Sequence, residues 1–481
     1  MRADFGPPML DARMMIGAVV IKHLLNIDDR EVVQQISENM YLQYFVGLSG
    51  FQKEPPFDAS LLVTIRKRLG KEAVEELNEI ILREAGVLNK PATKAAEKSN
   101  KKDEEGTEQA ASGDDVGDTS GGKTSTSQQK PSGTLLIDAT VAEQQIAYPT
   151  DLNLLNESRE QLERMILKGC AVMGMAAPRM YSEIARKRYL LVAKSKRKSR
   201  TALRRGIRQQ LQYLRRDLGY IDGLVEESEW FRLSLGKRDW KRLMVIHELY
   251  RQQRWMYRHE EHSIAERIVS LYQPHVRPMP RGKDRVSTEF GSKQVVMLKD
   301  GYAHVGKLDW DNFNDGIFLG QALEKYRDLY GCYPERVLGD RLYGNRENRR
   351  LMKEKGIRFV GKSLGRPSVG QKERERSLHK EMAERNPIEG KFGQGKNAYG
   401  LAKIRARLQE TSESWVMTIY PVMNLIKLVQ TQGSSLLATF CVLLSRTSNA
   451  RRSFHGNDAS QLRSCGVCHA KTLGNLSGKN D

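Results

Sequence analysis

The chain is short of several features that define whole classes of protein. No apolar run approaches the roughly 18 residues a membrane-spanning helix requires, and the stretch from Leu436 to Leu444 is too short. No membrane partner is expected. The first residues lack the charged, apolar and small-residue pattern of a secretory leader. Cysteine is scarce: five scattered residues make no disulfide framework and point to a reducing cytoplasm. Acid is in deficit as well. Against 79 Lys and Arg stand 59 Asp and Glu, a formal charge of +20 over 481 residues. Such a surplus of cations suits nucleic acid, because neutralising phosphates releases counterions.

What is present divides the chain. Residues 1–90 read as an all-α domain, with apolar periodicity at Met14, Met15, Ile16, Val19, Val20 and Ile21, then at Val32, Val33 and Ile36. Pro55-Pro56 breaks it, and Asp58-Ala-Ser before Leu61 reads as a helix start. Arg66, Lys67 and Arg68 make the next helix basic, which fits either a DNA-docking helix-turn-helix or a packing bundle. Residues 91–133 have almost no apolar side chains and predict a flexible linker. Thr134-Leu-Leu-Ile-Asp138 reads as a strand ending on a carboxylate, and the segment 134–150 opens an α/β unit. Residues 151–285 read as a basic helical block, densest from Lys187 to Arg216, with a core stripe at Trp240, Leu243, Ile246, Leu249 and Tyr250. Residues 286–430 return to strands and helices: a hairpin about Asp300-Gly301, a helix from Gly316 to Tyr330, and a strand ending at Asp340. A helix over Arg346 to Lys355, a strand at Ile357 and an apolar helix from Val416 to Val429 follow. Residues 431–481 read as a polar tail.

One stretch gathers the rest: Arg385-Asn-Pro-Ile-Glu389-Gly-Lys-Phe-Gly-Gln-Gly-Lys396. As a helix capped by Asn386 with Pro387 in its first turn, it places Glu389, Lys396 and Lys403 on one face, with Arg385 a turn before the acid. Its glycines each cost a helix about 1 kcal/mol against Ala, which suggests a backbone kept bare beside something bulky such as phosphate. With Asp138 and Asp340, Glu389 completes a set of three carboxylates on a basic α/β chain. Such a set suits Mg²⁺, which takes carboxylate oxygens together with water and phosphate.

The order Asp138, Asp340, Glu389 and the pattern Arg385-x3-Glu389-x6-Lys396 resemble the DDE transposases of bacterial insertion sequences. Ile137-Asp-Ala-Thr, Tyr148-Pro-Thr-Asp151, Glu289-Phe-Gly-Ser-Lys293, Gly339-Asp-Arg-Leu-Tyr-Gly and Pro55-Pro-Phe-Asp-Ala-Ser are similar too, so the resemblance covers roughly residues 5–430. One position departs: Met382 stands where the fuller signature has Tyr. The resemblance implies an α/β RNase H-like catalytic core with a large helical insertion, plus the all-α N-terminal domain, which would bind DNA. Asp138 would lie on the first strand, Asp340 on the fourth and Glu389 on a late helix. It further implies that these acids are catalytic and hold two Mg²⁺ ions, with Mn²⁺ as a substitute, for DNA cleavage and strand transfer. Arg385, Lys396, Lys403 and Lys293 would contact DNA; Trp255 could receive a flipped base, but core packing is the preferred reading for it. The implied partners are double-stranded DNA at element ends and target, and further copies of the chain in a homodimer or higher synaptic complex. The location would be cytoplasmic, at the nucleoid.

Two strings are decoys. Gly390-x4-Gly395-Lys396 nearly spells a phosphate-binding loop, but Asn397 replaces the Ser or Thr and no apolar strand leads in, so no nucleotide cofactor is expected. Cys465-Gly-Val-Cys468-His469 matches a haem-attachment string without the export context it needs. The rival readings are a non-catalytic DNA-binding element remnant or repressor, and a stand-alone metal-dependent nuclease.

Overall fold

The computed structural model describes residues 11–88, 130–280, 288–362, 364, 380–433 and 439–440. Residues 91–129 of the expected linker, most of the expected tail, and Cys465, Cys468 and His469 lie outside the described residues.

Strand β1 (Thr134–Glu143) is the spine of a six-stranded sheet, flanked by β3 (Thr288–Lys299) and β5 (Arg336–Gly339). The order is β2-β3-β1-β5-β6, with β2 at Arg277–Pro280 and β6 at Arg358–Val360; β4 (Tyr302–Asp309) also pairs with β3. β3 runs antiparallel to β1, β2 and β4, whereas β1, β5 and β6 run parallel. The β3–β4 hairpin turns at Asp300 and Gly301, both with positive φ, 51° and 77°. That is the backbone a two-residue primed turn demands, and Asp-Gly supplies it at low cost.

β1 is longer than its sequence suggests. Asp138 does not end it, because β3 continues the antiparallel ladder past that point to Glu143. The parallel partner β5 stops earlier, with Ile137 opposite Gly339. Asp138 and Asp340 thus each stand one residue beyond the last paired position of two adjacent parallel strands.

Between β1 and β2 the chain forms five helices: α5 (Asp151–Met173), α6 (Ser182–Ala193), α7 (Arg200–Glu227), α8 (Glu229–Ser234) and α9 (Lys237–His259). Thr150 caps α5 by accepting from the Asn153 N–H at 3.3 Å, which gives the Tyr148-Pro-Thr-Asp151 string a local role. Leu155, Leu162, Ile166, Leu214, Ile246 and Leu249 fill a core of their own. Helix ends at His259, short of the expected 285, because β2 is drawn into the sheet by pairing with β3.

The N-terminal helices α1 (Ala12–Leu25), α2 (Asp29–Glu38), α3 (Met40–Val46) and α4 (Leu61–Glu84) share one apolar core with a face of the sheet and with the late helix Gln409–Gln432. Asn78 on α4 and Asn424 on the late helix meet at 2.8 Å, and Asn424 accepts from the Ala303 N–H of β4 at 2.9 Å. Arg66, basic in sequence, is buried: it bonds both carboxylate oxygens of Asp29 at 2.9 and 2.6 Å, and Lys22 joins the same acid at 2.7 Å. Lys67 and Arg68 remain exposed.

Helix α10 (Leu319–Tyr330) precedes β5, α11 (Arg346–Glu354) lies between β5 and β6, and α12 (Asn386–Ala398) and α13 (Gln409–Gln432) follow β6. Beyond α12 the chain returns to β1, where Ile404 bonds Glu143 and Gln145 through their backbones. This strap lays α12 against the edge where Asp138 and Asp340 emerge.

Candidate active site

Asp138 projects from β1, half-shielded, its Oδ1 accepting the Ala139 N–H at 2.8 Å. Asp340 follows β5 and caps a 3₁₀ turn (Arg341–Gly344) by accepting the Arg341 N–H at 2.5 Å. Glu389 lies in the first turn of α12. The Arg385 guanidinium joins them, 2.5 Å from Glu389 and 3.9 Å from Asp340. Burial pushes the Asp138 carboxyl above its ordinary range, and the charges of Asp340 and Glu389 push the same way against Arg385 and the Ala139 N–H. Burial disfavours the Arg385 charge, but the bond to Glu389 and the three acids outweigh it and raise its pKa.

The three acids therefore share one electrostatic environment, with an arginine among them. They do not form a closed cage: among the described residues no three His, Cys, Asp or Glu are grouped closely enough to hold a metal ion. The donor set still fits a hard divalent cation in kind, since all three groups are carboxylates. The Asp340 and Glu389 side chains are 55% and 58% exposed, so their rotation sacrifices little packing.

Other expected residues fare differently. Lys396 sits half-buried on α12. Lys403 is exposed but not on that helix, contrary to the expected single face. α12 ends at Ala398, and Gly400 takes φ +79°, a turn that redirects the chain. Lys293 is 2.6 Å from Asp315 and donates to the Phe313 carbonyl at 2.8 Å, so it braces the loop after β4. Asn386 is the first helical residue of α12 rather than its cap, and the preceding Arg385 makes no side-chain cap. Trp255 is 38% exposed and stacks on His259 at 4.4 Å, outside the core.

Two notable residues were missed, one in the centre and one behind it. Tyr343 is buried beside Asp138 and Asp340, and its hydroxyl has no hydrogen-bond partner among the described residues. Its ring packs where a Cβ on Gly339 would come within 2.9 Å, which explains the glycine of the Gly339-Asp-Arg-Leu-Tyr string. Lys391 is buried on the opposite face of α12 from Glu389; burial first, and the like charge of Lys427 second, draw its ammonium down to about 8. A lysine on the far face of a helix with an obvious acidic face leaves no mark in spacing.

Fold and site thus define a mixed α/β protein with an arginine-bridged acidic centre where two parallel strands end beneath a glycine-bearing helix. A family model described as Transposase DDE domain matches residues 337–426, from β5 into α13, and one described as Transposase domain (DUF772) matches residues 1–68. Both matches are to transposase domains, and they support the likeness to the DDE transposases of insertion sequences. The DDE domain implies an RNase H-like fold and dependence on divalent cations. A protein of Rhizobium meliloti named Uncharacterized protein ORF8 in nfe locus is 43% identical over 72 residues, which cover 15% of this chain and 35% of that protein. The chain thus spans about a third of that relative's length. No solved structure matches. Among the described residues, no helix is long and apolar enough to cross a membrane.

Proposed function

We propose that the chain binds the terminal inverted repeats of a bacterial insertion sequence, cleaves the DNA there and joins the freed 3′ end to target DNA. The observation that carries this reading is the β1–β5 register, Ile137 opposite Gly339. It sets Asp138 beside Asp340, and Arg385 links Asp340 to Glu389. The order β4-β3-β1-β5-β6, three antiparallel strands and then two parallel ones, supports an RNase H-like core. Within it α5–α9 are the insertion, and residues 1–90 are the proposed DNA-binding segment.

In this reading Asp138, Asp340 and Glu389 hold Mg²⁺, or Mn²⁺ in its place. Bound there, the ions supply Lewis-acid activation of the attacking and leaving oxygens. Asp138 is the least mobile of the three donors, fixed by its strand and by the Ala139 N–H. Arg385 neutralises the acids without DNA and turns to a phosphate when DNA arrives, as an oriented cation suited to developing negative charge. Lys396 and Lys403 contact flanking phosphates, and Lys293 does so on exchanging Asp315 for DNA. The loop after α6 exposes Lys194, Lys196, Arg197 and Lys198, none with a carboxylate partner among the described residues. This loop supports backbone tracking by the helical block. Two or more copies would pair the element ends, in the cytoplasm at the nucleoid.

Strand transfer with a labelled element end is the test. Asp340→Asn is expected to bind the end as the native chain does and to lose cleavage by at least about a hundredfold. Retained cutting would remove Asp340 from the reaction. Binding by the native chain with no cutting would leave a repressor, and cutting without joining a nuclease.

A further inference from the structure

Helix α12 has a second working face. Pro387, Gly390, Lys391 and Gln394 recur at helical spacing on the side opposite Arg385, Glu389 and Lys396. They line an open cavity of about 420 Å³, walled on its other sides by α13 and by the β3–β4 turn at Gly301. Lys391 is only 8% exposed, and among the described residues neither a carboxylate nor any other acceptor partners its ammonium. The stem is enclosed while the ammonium keeps contact with solvent, and a cation so placed without a protein partner is costly to hold.

The neighbour across the cavity sharpens the mismatch. Lys427 of α13 also lines it and carries the same charge. It lies over the Tyr302 ring at 5.0 Å, in space that exists because residue 301 is glycine: a Cβ there would come within 2.0 Å of its Nζ. Gln394 and Gln430 add neutral donors to the wall, whereas the Thr431 hydroxyl donates to the Lys427 carbonyl at 2.8 Å. Gly390 leaves the helix backbone bare toward the cavity, and a Cβ there would meet nothing within 4 Å. No internal packing accounts for a residue that weakens the helix. Two cations from opposite walls, neutral donors and an uncovered helix match a tetrahedral anion of more than one charge.

We propose that this cavity binds a phosphate group, with Lys391 and Lys427 as its charged contacts. The site is separate from the acidic centre and stands or falls independently of the cleavage reaction. Its phosphate is either a free anion or part of a DNA backbone.

Titration calorimetry on the full chain, without divalent cation, tests the site with inorganic phosphate, pyrophosphate and a short DNA duplex. Saturable binding of phosphate or pyrophosphate is expected, weakened at least tenfold in Lys391→Met and in Lys427→Glu. The second variant sets a carboxylate beside Lys391, so its melting temperature should equal or exceed the native value while binding is lost. Competition between pyrophosphate and duplex in the native chain, absent in Lys427→Glu, would assign the phosphate to DNA. Simultaneous binding of both would assign it to a free anion. Absence of saturable phosphate or pyrophosphate binding, or equal affinity in a folded Lys427→Glu, would overturn the proposal.

Discussion

Arg385 sets the electrostatics of the acidic centre. It lies within 3.9 Å of Asp340 and 2.5 Å of Glu389, and Asp138 feels all three charges. A cation in that place competes with any other cation for the same oxygens. Arg385→Ala is therefore expected to bind Mn²⁺ roughly fivefold more tightly without DNA, one screened charge interaction of about 1 kcal/mol, while binding element ends more weakly. Electron paramagnetic resonance titration of free Mn²⁺ reads the first effect, and an unchanged affinity would show that the arginine does not compete. At this scale the acids were legible because order and residue type are local facts. The bond from Arg385 to Glu389 followed from their four-residue spacing. Its reach to Asp340 did not, since it crosses from one element to another.

Among the elements, α7 of the helical block carries an internal conflict. Asp217 is buried, and neither carboxylate oxygen has a hydrogen-bond partner among the described residues. Burial first, and the negative charge of Glu163 second, lift it from 3.8 to about 7. A folded-state value above the unfolded one stabilises fully below pH 3.8, and the contribution is lost as pH rises through about 7. Asp217→Asn cannot ionise. Its stability advantage over the native chain, read as melting temperature, should grow between pH 4 and 7 and then level, reaching on the order of 4 kcal/mol. A constant difference across that range would show that the carboxyl titrates normally. The amphipathic pattern of this block was plain from its leucine and isoleucine spacing. The acid in its core was not, because a single Asp within a basic run reads as one more surface charge.

Across the whole molecule the positive charge is unevenly committed. Arg66 and Lys22 are locked onto Asp29, Lys293 onto Asp315, and Arg216 lies between the rings of Tyr181 and Tyr213 at 4.6 and 5.2 Å. The loop of Lys194, Lys196, Arg197 and Lys198 is exposed. Replacing Lys196, Arg197 and Lys198 with Ala should reduce the slope of log affinity against log salt by up to about 2.7, at about 0.9 for each phosphate no longer neutralised. The melting temperature should hold. An unchanged slope would place the DNA elsewhere on the surface.

Sequence alone determined the succession of helices and strands apart from β2, the Asp300-Gly301 turn, the basic balance and the order of the three acids. Each is set by neighbours along the chain, where periodicity and turn chemistry act. Tertiary structure decided the rest: β1 running on past Asp138, Asp340 arriving beside it, Lys403 turned off the α12 face at Gly400, and the N-terminal helices sharing a core with α13. It also opened the two-lysine cavity behind Glu389. These features depend on strand register and on packing between segments far apart in the chain, and no local pattern encodes which distant partner a buried face or charge will meet.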